Sequence, residues 1–526
     1  MSVSSSFDGE SRGERAIDAV RGTADWLPTR YARLHDLEAL LLDRFARAGY
    51  QPLRTPVLEP TDLHERKSGA GIVSKLFELS GAGAETGQGG VCLRPELTAG
   101  IVRAYTAMEP EPALPWRVSH SGVVFRYESP RPDRLREFHQ VGVERLGDGG
   151  ALADAEVIWL ADWAMAEAGV RDVSIRIGHV GLILEMLRRS GLPAPLGAAL
   201  VERLSEAAAE GEGVHALGTA LDQLSGWLRS GSEEALAVPE SVERSDDAAI
   251  DRLFRTLVPV VTGRRTSREI VHRLRRKWDL AHGLIGTLSR VQEQVQHLAG
   301  LTGRPSEVLD RLGREIEALA PDSVAALRAM LDALEGFGVD GSRLTLDLGF
   351  GRGIGFYSQM IFEITACRPD GQSVEIGGGG RYDGLARVLG SGRDDRGVGF
   401  DFGLERLESV IAAQAAGRRD AEPVRRGILV AADPGHVAAA AQVATRLRSV
   451  GATVWLEPIT DPAAIQARAE LLGAARSIRV AGTPSTPGAL TLVEGPGKSP
   501  TTIDVDALAA LGRASAASDN SEGSRR

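Results

Sequence analysis

The sequence predicts an α+β fold in which helices flank an antiparallel sheet, with an all-helical insertion and a C-terminal α/β domain. Before residue 192 and again after residue 342, short apolar runs such as VVFRY and QMIFEITA stand beside helical patterns. Between these parts Leu, Ala and charged residues recur at three- and four-residue spacing, as in VERLSEAAAEG. After residue 424, apolar strands alternate with helices, which predicts a parallel or mixed sheet.

The chain has 526 residues, which is enough for two to four domains. Changes in composition divide it into a sheet domain in two parts, an insertion, a linker and a small C-terminal domain. The predicted segments are a disordered N-terminus over 1–15, the first part of the core over 16–192, the helical insertion over 193–341, the second part of the core over 342–412, a linker over 413–423, the α/β domain over 424–513 and a disordered tail over 514–526.

Composition excludes several classes of protein. The chain has 61 Lys and Arg against 71 Asp and Glu, a net charge of −10, so contact with nucleic acid requires a local basic patch. Two cysteines cannot build a disulfide framework, and no apolar run is long enough to span a membrane. The ten histidines show no metal-ligand spacing, so no metal site is predicted. We expect a cytoplasmic protein without a membrane partner.

Four segments place charged residues and glycines within apolar, strand-like sequence. They are CLRPELTA from Cys92, FRYE from Phe125 with the loop SPRPDRLRE and then FHQVGVE, GRGIGFY from Gly351, and GGGGRYDG from Gly377 continuing to GFDFGLERL. Arginines in strands are costly to bury without an anion or a carboxylate. Arg126, Arg352 and Arg406 together therefore predict a pocket for a multiply charged ligand such as a nucleotide.

Acceptor side chains in the same segments predict a second part of the pocket. Glu96, Gln140 and Glu144 could fix an amine or an imidazole. Each feature also has a structural interpretation. Any one arginine could be an ion-pair partner, residues 377–380 could form a flexible glycine hairpin, and His139 could be a hydrogen-bonded strand histidine without a catalytic role.

Taken in order, these segments resemble the catalytic core of class II aminoacyl-tRNA synthetases, in particular the histidyl-tRNA synthetase family. RGTADWLP from Arg21 is similar to the family's opening segment. The other matches are the first class motif over 49–59, the second motif in FRYE and FHQ, the third in GLERL, and the two histidyl segments RGIGFY and GGGRYD. The resemblance covers about residues 17–190 and 340–412 and implies a core sheet of six or seven antiparallel strands. It also implies a homodimer, and an anticodon-binding position for the C-terminal domain.

The resemblance implies a role for each candidate residue. Arg126 and Arg406 would grip the ATP phosphates, Arg134 would assist at the γ-phosphate, and Glu128 would belong to the same ATP site. Arg352 would stabilise charge as the histidine carboxylate attacks the α-phosphate, with Mg²⁺ entering as the ATP complex. The amino-acid pocket would be lined by Glu96, Thr98, Gln140, Glu144, Tyr357 and Tyr382.

Two functions fit this core. A histidine–tRNA ligase would bind histidine, ATP and tRNA(His), and the retained arginines and the C-terminal domain favour it. The regulatory subunit of ATP phosphoribosyltransferase aminoacylates nothing and would bind that enzyme's catalytic subunit. Features that favour it are the loop SPRPDR in place of RPQKGR, Leu97 and Gly355 in place of the usual Gly and Asp, and a C-terminal domain with no lysine before Lys498. A synthetase-derived RNA-binding or signalling module is a third possibility.

Overall fold

The computed structural model divides the chain into two compact units, residues 1–415 and 416–526. The structure describes only part of each unit, so the predicted disordered N-terminus, most of the insertion and Arg352 lie outside the described residues. The described ranges are 17–68, 74–79, 90–131, 134–192, 200, 218–219, 221–222, 286–350, 356–392, 396–416, 427–481, 490–493, 499–503 and 505–521.

The first unit contains twelve named strands and ten named helices among its described residues. The strands are β1 (Gln51–Leu53), β2 (Leu58–Pro60), β3 (Phe77–Leu79), β4 (Val91–Leu93), β5 (Trp116–Phe125), β6 (Glu137–Leu146), β7 (Val173–His179), β8 (Thr302–Gly303), β9 (Leu344–Asp347), β10 (Met360–Cys367), β11 (Ser373–Arg381) and β12 (Gly397–Gly403). The helices are α1 (Pro28–Arg47), α2 (Thr61–Ser68), α3 (Thr98–Thr106), α4 (Ala151–Glu167), α5 (Val180–Arg189), α6 (Pro305–Arg311), α7 (Arg314–Leu319), α8 (Pro321–Gly336), α9 (Leu385–Val388) and α10 (Leu404–Ala416).

Nine of these strands form one sheet in the order β1-β5-β6-β12-β11-β10-β7-β9-β8. The central pairs are antiparallel, as predicted, whereas β1 pairs with β5 and β7 pairs with β9 in parallel. The prediction of six or seven strands is therefore wrong. The outermost strands, β1 and β8, have only three and two residues, which is too short to show a period-two pattern. Strands β2, β4 and β3 form a separate antiparallel sheet.

One face of the large sheet carries the hydrophobic core. Val141 and Val143 on β6 and Phe400 and Phe402 on β12 are buried in it. Phe45 from α1 packs edge-on against Phe400, with 5.7 Å between the ring centres. Because side chains alternate along a strand, the residues between these apolar positions lie on the opposite face, where the candidate site is found.

The described part of the predicted insertion packs into this same core. Residues 286–299 are helical, and Leu298 from this segment and Leu334 from α8 are fully buried in the cluster that contains α4 and α5. Strand β8 adds two residues to the edge of the sheet. The boundaries of the insertion stay a prediction, but its C-terminal portion contributes to the core that supports the sheet.

The second unit contains a five-stranded mixed sheet in the order β14-β13-β15-β16-β17. Its elements are β13 (Ile428–Ala432), α11 (Val437–Ser449), β14 (Val454–Glu457), α12 (Pro462–Leu472), β15 (Arg476–Val480), β16 (Leu490–Val493), β17 (Thr501–Ile503) and α13 (Val505–Ser521). Strand β13 is parallel to both β14 and β15, as the alternation of strands and helices predicts.

Two predicted boundaries near the second unit differ from the structure. The tail predicted to be disordered from residue 514 is helical as far as Ser521, because α13 continues through the alanine-rich run ASAAS, which favours helix. Residues 522–526 lie outside the described residues. The linker also begins later than predicted, because α10 continues to Ala416, past the predicted linker start at residue 413.

His179 provides a pH test of the first unit's core. Its Nδ1 accepts the Leu182 amide at 3.2 Å, capping α5, and burial lowers the pKa of His179 to about 4. The unfolded chain therefore takes up a proton below pH 6.5 while the folded chain does not, so stability falls as pH decreases toward 4. An asparagine keeps the cap. We expect the free energy of unfolding of His179→Asn to rise by about 2 kcal/mol relative to that of the parent when the pH is lowered from 7.5 to 5, as measured by urea unfolding. An identical difference at both pH values would mean that His179 titrates normally in the folded protein.

Candidate active site

A cavity of about 320 Å³ lies on the polar face of the large sheet. Strands β6, β10, β11 and β12 contribute residues to it, together with α2, the segment before α3 and the first turn of α10. Seven of the eleven predicted site residues line it: Glu96, Thr98, Arg126, Glu128, Gln140, Tyr357 and Arg406. The structure therefore brings most of these distant segments together at one cavity.

The glycine run lies inside β11 and forms part of the cavity. Gly377, Gly378 and Gly379 line the cavity, so the alternative of a flexible hairpin is wrong. The neighbouring strand β12 has the same requirement for small residues. A Cβ atom on Gly399 would lie 1.8 Å from Glu144 Oε2, so only glycine leaves room for that carboxylate.

Two of the predicted phosphate-binding arginines line the cavity. Arg126 follows β5, where its Nε donates to the Pro95 carbonyl oxygen at 3.0 Å and its guanidinium lies 5.1 Å from the centre of the Phe138 ring. Arg406 is in the first turn of α10, with Nη1 3.4 Å from the Glu375 carbonyl oxygen. These contacts hold both guanidinium groups in place, an arrangement suited to binding a polyanion.

The other two predicted arginines differ from this pair. Arg134 is not among the residues that line the cavity. Its side chain is 48% exposed, and Nη1 lies 3.3 Å from Glu128 Oε2. Arg352 lies outside the described residues, so its assignment stays a prediction. His139 contacts Glu405 Oε1 at 3.0 Å through Nδ1, so it is hydrogen-bonded as its structural interpretation requires.

Glu144 and Tyr382 form a buried pair beside the cavity. The Tyr382 hydroxyl donates to Glu144 Oε2, and the Thr98 hydroxyl interacts with the same carboxylate. Burial raises the pKa of Glu144 to about 7, and burial together with this carboxylate raises the pKa of Tyr382 well above its usual value. Glu144 can therefore exchange a proton near neutral pH, which suits a group that binds an imidazole.

Sequence reasoning missed the buried cation beside Glu96. Lys67 on α2 is 4% exposed, and its Nζ lies 2.6 Å from Glu96 Oε2. His64, one turn earlier on the same helix, places Nδ1 3.5 Å from Glu96 Oε1. Burial alone would raise the pKa of Glu96, but the charge of Lys67 and the contact with His64 hold that pKa below its usual value. The available signal was the spacing of His64 and Lys67, which puts both on one helical face.

A second missed pair is Asp401 on β12 and His120 on β5. Asp401 lines the cavity, and its Oδ1 lies 3.5 Å from His120 Nδ1. Burial, followed by the charges of Glu144 and Glu96, raises the pKa of Asp401, while burial lowers the pKa of His120 to about 3. The signal in the sequence was the position of Asp401 between Phe400 and Phe402. Because side chains alternate along a strand, the middle residue lies on the face opposite the core.

The described residues contain no group of three or more side chains arranged to bind a metal ion. Among them there is also no helix that is both long and apolar enough to cross a membrane.

The fold and this polar cavity define a class of protein. The family model described as histidyl-tRNA synthetase matches residues 22–257 and 247–407. The match includes β6 and β10 to β12, which contribute residues to the cavity. The chain belongs to the histidyl-tRNA synthetase family.

Relatives with two different functions match the chain. Histidine–tRNA ligase of Pyrococcus furiosus is 27% identical over 400 residues, 76% of each chain. An ATP phosphoribosyltransferase regulatory subunit of Moorella thermoacetica is 31% identical over 437 residues, 83% of this chain and 91% of the relative. Apo histidyl-tRNA synthetase of S. aureus has a similar fold, with a TM-score of 0.61 at 21% identity, covering 95% of this chain and all of that one.

Proposed function

We propose that this protein is a cytoplasmic, homodimeric histidine–tRNA ligase. The observation that carries the proposal is a single cavity lined both by two fixed arginines, Arg126 and Arg406, and by the amide and carboxylate side chains of Gln140 and Glu96. A site that only sensed an amino acid would not require two arginines suited to a polyphosphate. Membership of the histidyl-tRNA synthetase family supports histidine as the amino acid.

In the proposed reaction, a carboxylate oxygen of histidine attacks the α-phosphorus of ATP and pyrophosphate leaves. Histidyl-adenylate then transfers its acyl group to a terminal ribose hydroxyl of tRNA(His) and releases AMP. Arg126 and Arg406 hold the phosphates, and Glu128 lines the same cavity. Because both reactants are anionic, positioning and charge stabilisation supply most of the rate enhancement.

The remaining predicted residues have supporting roles in this proposal. Arg352 stabilises the charge that develops at the α-phosphate, and Arg134 reaches the γ-phosphate from the half-exposed loop. Mg²⁺ enters with ATP and neutralises phosphate charge. Glu363 and Glu375 line the cavity, and carboxylate oxygens are ligands that Mg²⁺ takes. The side chains that surround histidine are Glu96, Thr98, Gln140, Glu144, Tyr357 and Tyr382.

Amino-acid-dependent exchange of pyrophosphate into ATP tests the activation step. We expect the full chain to catalyse this exchange with histidine, and at least about 100-fold more slowly with other amino acids, because the imidazole acceptors would be left unpaired. The assay uses each amino acid in turn with labelled pyrophosphate. Exchange that is equally fast with several amino acids would refute histidine as the substrate.

The second candidate is a non-aminoacylating ATP phosphoribosyltransferase regulatory subunit. It is favoured by the relative from Moorella thermoacetica and by Lys67, which engages a carboxylate that was expected to receive a substrate. This function would keep histidine binding but not exchange. It would be supported if the protein associated with a short ATP phosphoribosyltransferase catalytic chain and raised that chain's activity.

A further inference from the structure

The carboxylate of Glu96 is already engaged within the protein. Its Oε2 lies 2.6 Å from Lys67 Nζ, and its Oε1 accepts the Ala99 amide at 3.1 Å. Lys67 Nζ also lies 4.1 Å from the centre of the Phe356 ring. A ligand ammonium group that displaced this lysine would leave a buried charge without its counterion, which is strongly unfavourable.

Two other acceptor atoms in the cavity have no hydrogen-bond partner within the described part of the chain. They are Gln140 Oε1 and Asp401 Oδ1, and both atoms are buried. Asp401 on β12 pairs with Gly142, which is two residues beyond Gln140 on β6. Both side chains therefore lie on the cavity face of adjacent strands, as near neighbours. Buried acceptors without partners are costly, and a donor from a ligand would satisfy them.

His120 on β5 lies in register with Asp401, on the other side of β6. It pairs with the same Gly142 from the other side, so His120, Gly142 and Asp401 form one row across three strands. His120 is 2% exposed, and both of its ring nitrogens are without a hydrogen-bond partner among the described residues. The charged and titratable groups that act on Asp401 are His120, Glu144, Glu96, Lys67 and Arg126.

We propose that Asp401, together with Gln140, receives the ammonium group of the amino acid, while Lys67 remains the internal counterion of Glu96. Asp401 is then the residue that selects ligands carrying a primary amine. The inference rests on the proposed function, since it assigns the acceptor for the amino group of that same substrate. A cation at Asp401 favours its ionised form, so binding is accompanied by proton release.

The test compares two ligands that differ only in the amine, L-histidine and imidazolepropionate, by calorimetric titration of the full chain. Asp401→Asn keeps the size of the side chain and removes its charge. We expect this variant to bind histidine about 10- to 100-fold more weakly, the usual loss for a charge-assisted hydrogen bond, and the analogue within about threefold of the parent. Proton release, measured in buffers of different ionisation enthalpy, should be smaller in the variant than in the parent.

Lys67→Met and Glu96→Gln are the variants to compare with Asp401→Asn in the same titration. We expect Lys67→Met to bind histidine more tightly, because Glu96 becomes a second available acceptor. Glu96→Gln should keep the preference for histidine over the analogue. Asp401→Ser carries the same expectation as Asp401→Asn and is the alternative if the asparagine variant does not fold.

Two results would overturn the proposal, and they are distinguishable. If the parent binds histidine, Asp401→Asn binds it equally well and Glu96→Gln loses the preference, then the ammonium displaces Lys67 and only this inference fails. If the parent binds no histidine at millimolar concentration, the proposed function fails with it.

Discussion

Replacing Arg126 with alanine is expected to slow histidine-dependent pyrophosphate exchange by about 10²- to 10³-fold, the usual cost of losing one preorganised donor that stabilises charge. Its guanidinium is fixed by the Pro95 carbonyl oxygen and the Phe138 ring at the wall of the cavity. Arg126→Lys should recover little, because a point charge does not reproduce the planar fork of the guanidinium. Steady-state exchange at saturating ATP provides the measurement.

Arg328→Ala is the matched control for Arg126→Ala. Arg328 forms a surface ion pair with Glu317 on α7 and does not line the cavity, so exchange should not change. Arg134→Ala should have an intermediate effect, about tenfold or less, because its side chain is half-exposed and outside the cavity wall. If Arg126→Ala exchanged as fast as the parent, Arg126 would be a structural residue and its assignment to the phosphates would be wrong.

Arg381→Met is expected to destabilise the first unit by about 3–5 kcal/mol, the cost of leaving a buried charge without its partner. Arg381 is 2% exposed, and its Nη2 lies 2.6 Å from Oδ1 of Asp154, which is 6% exposed. The guanidinium also donates to the Asp383 carboxylate and to the Asp148 carbonyl oxygen. Urea unfolding of the full chain, followed by a probe of the first unit, measures the loss.

The double variant Arg381→Met, Asp154→Leu separates the charge from the packing. Removing both partners takes away the uncompensated carboxylate, so we expect it to recover at least half of the loss. The exposed pair of Arg328 and Glu317 is again the control, with about 1 kcal/mol or less for Arg328→Ala. A double variant as unstable as Arg381→Met would show that the other contacts of Arg381, and not its pairing with Asp154, carry the stability.

The sequence was sufficient to predict the residues whose chemistry conflicts with their surroundings. Arg126, Gln140 and Arg406 stand in or beside apolar strand sequence, and all three line the cavity. Few structural roles explain an arginine or a glycine run within apolar strand sequence. The sequence alone therefore indicates a functional role for such residues. The antiparallel core could be predicted because short apolar runs such as VVFRY and QMIFEITA stand beside helical patterns.

The missed residues depend on contacts between segments that are far apart in the sequence. Lys67 stands in a polar helix, and the spacing in TDLHERKS puts it on one face with His64 but does not indicate that its ammonium group reaches Glu96. Asp401 and His120 meet only because both strands are in register with Gly142. Register across a sheet follows from turn geometry and packing, which a single sequence does not display.

Charging of tRNA(His) with labelled histidine by the full chain tests whether the protein is a histidine–tRNA ligase. We expect accumulation of histidyl-tRNA at low salt and a steep decrease as salt increases, because a chain of charge −10 can hold RNA only through local basic residues. Deleting residues 424–526 should reduce turnover. The contradicting result is no histidyl-tRNA at any salt concentration from a protein that binds histidine and raises the activity of a short ATP phosphoribosyltransferase catalytic chain.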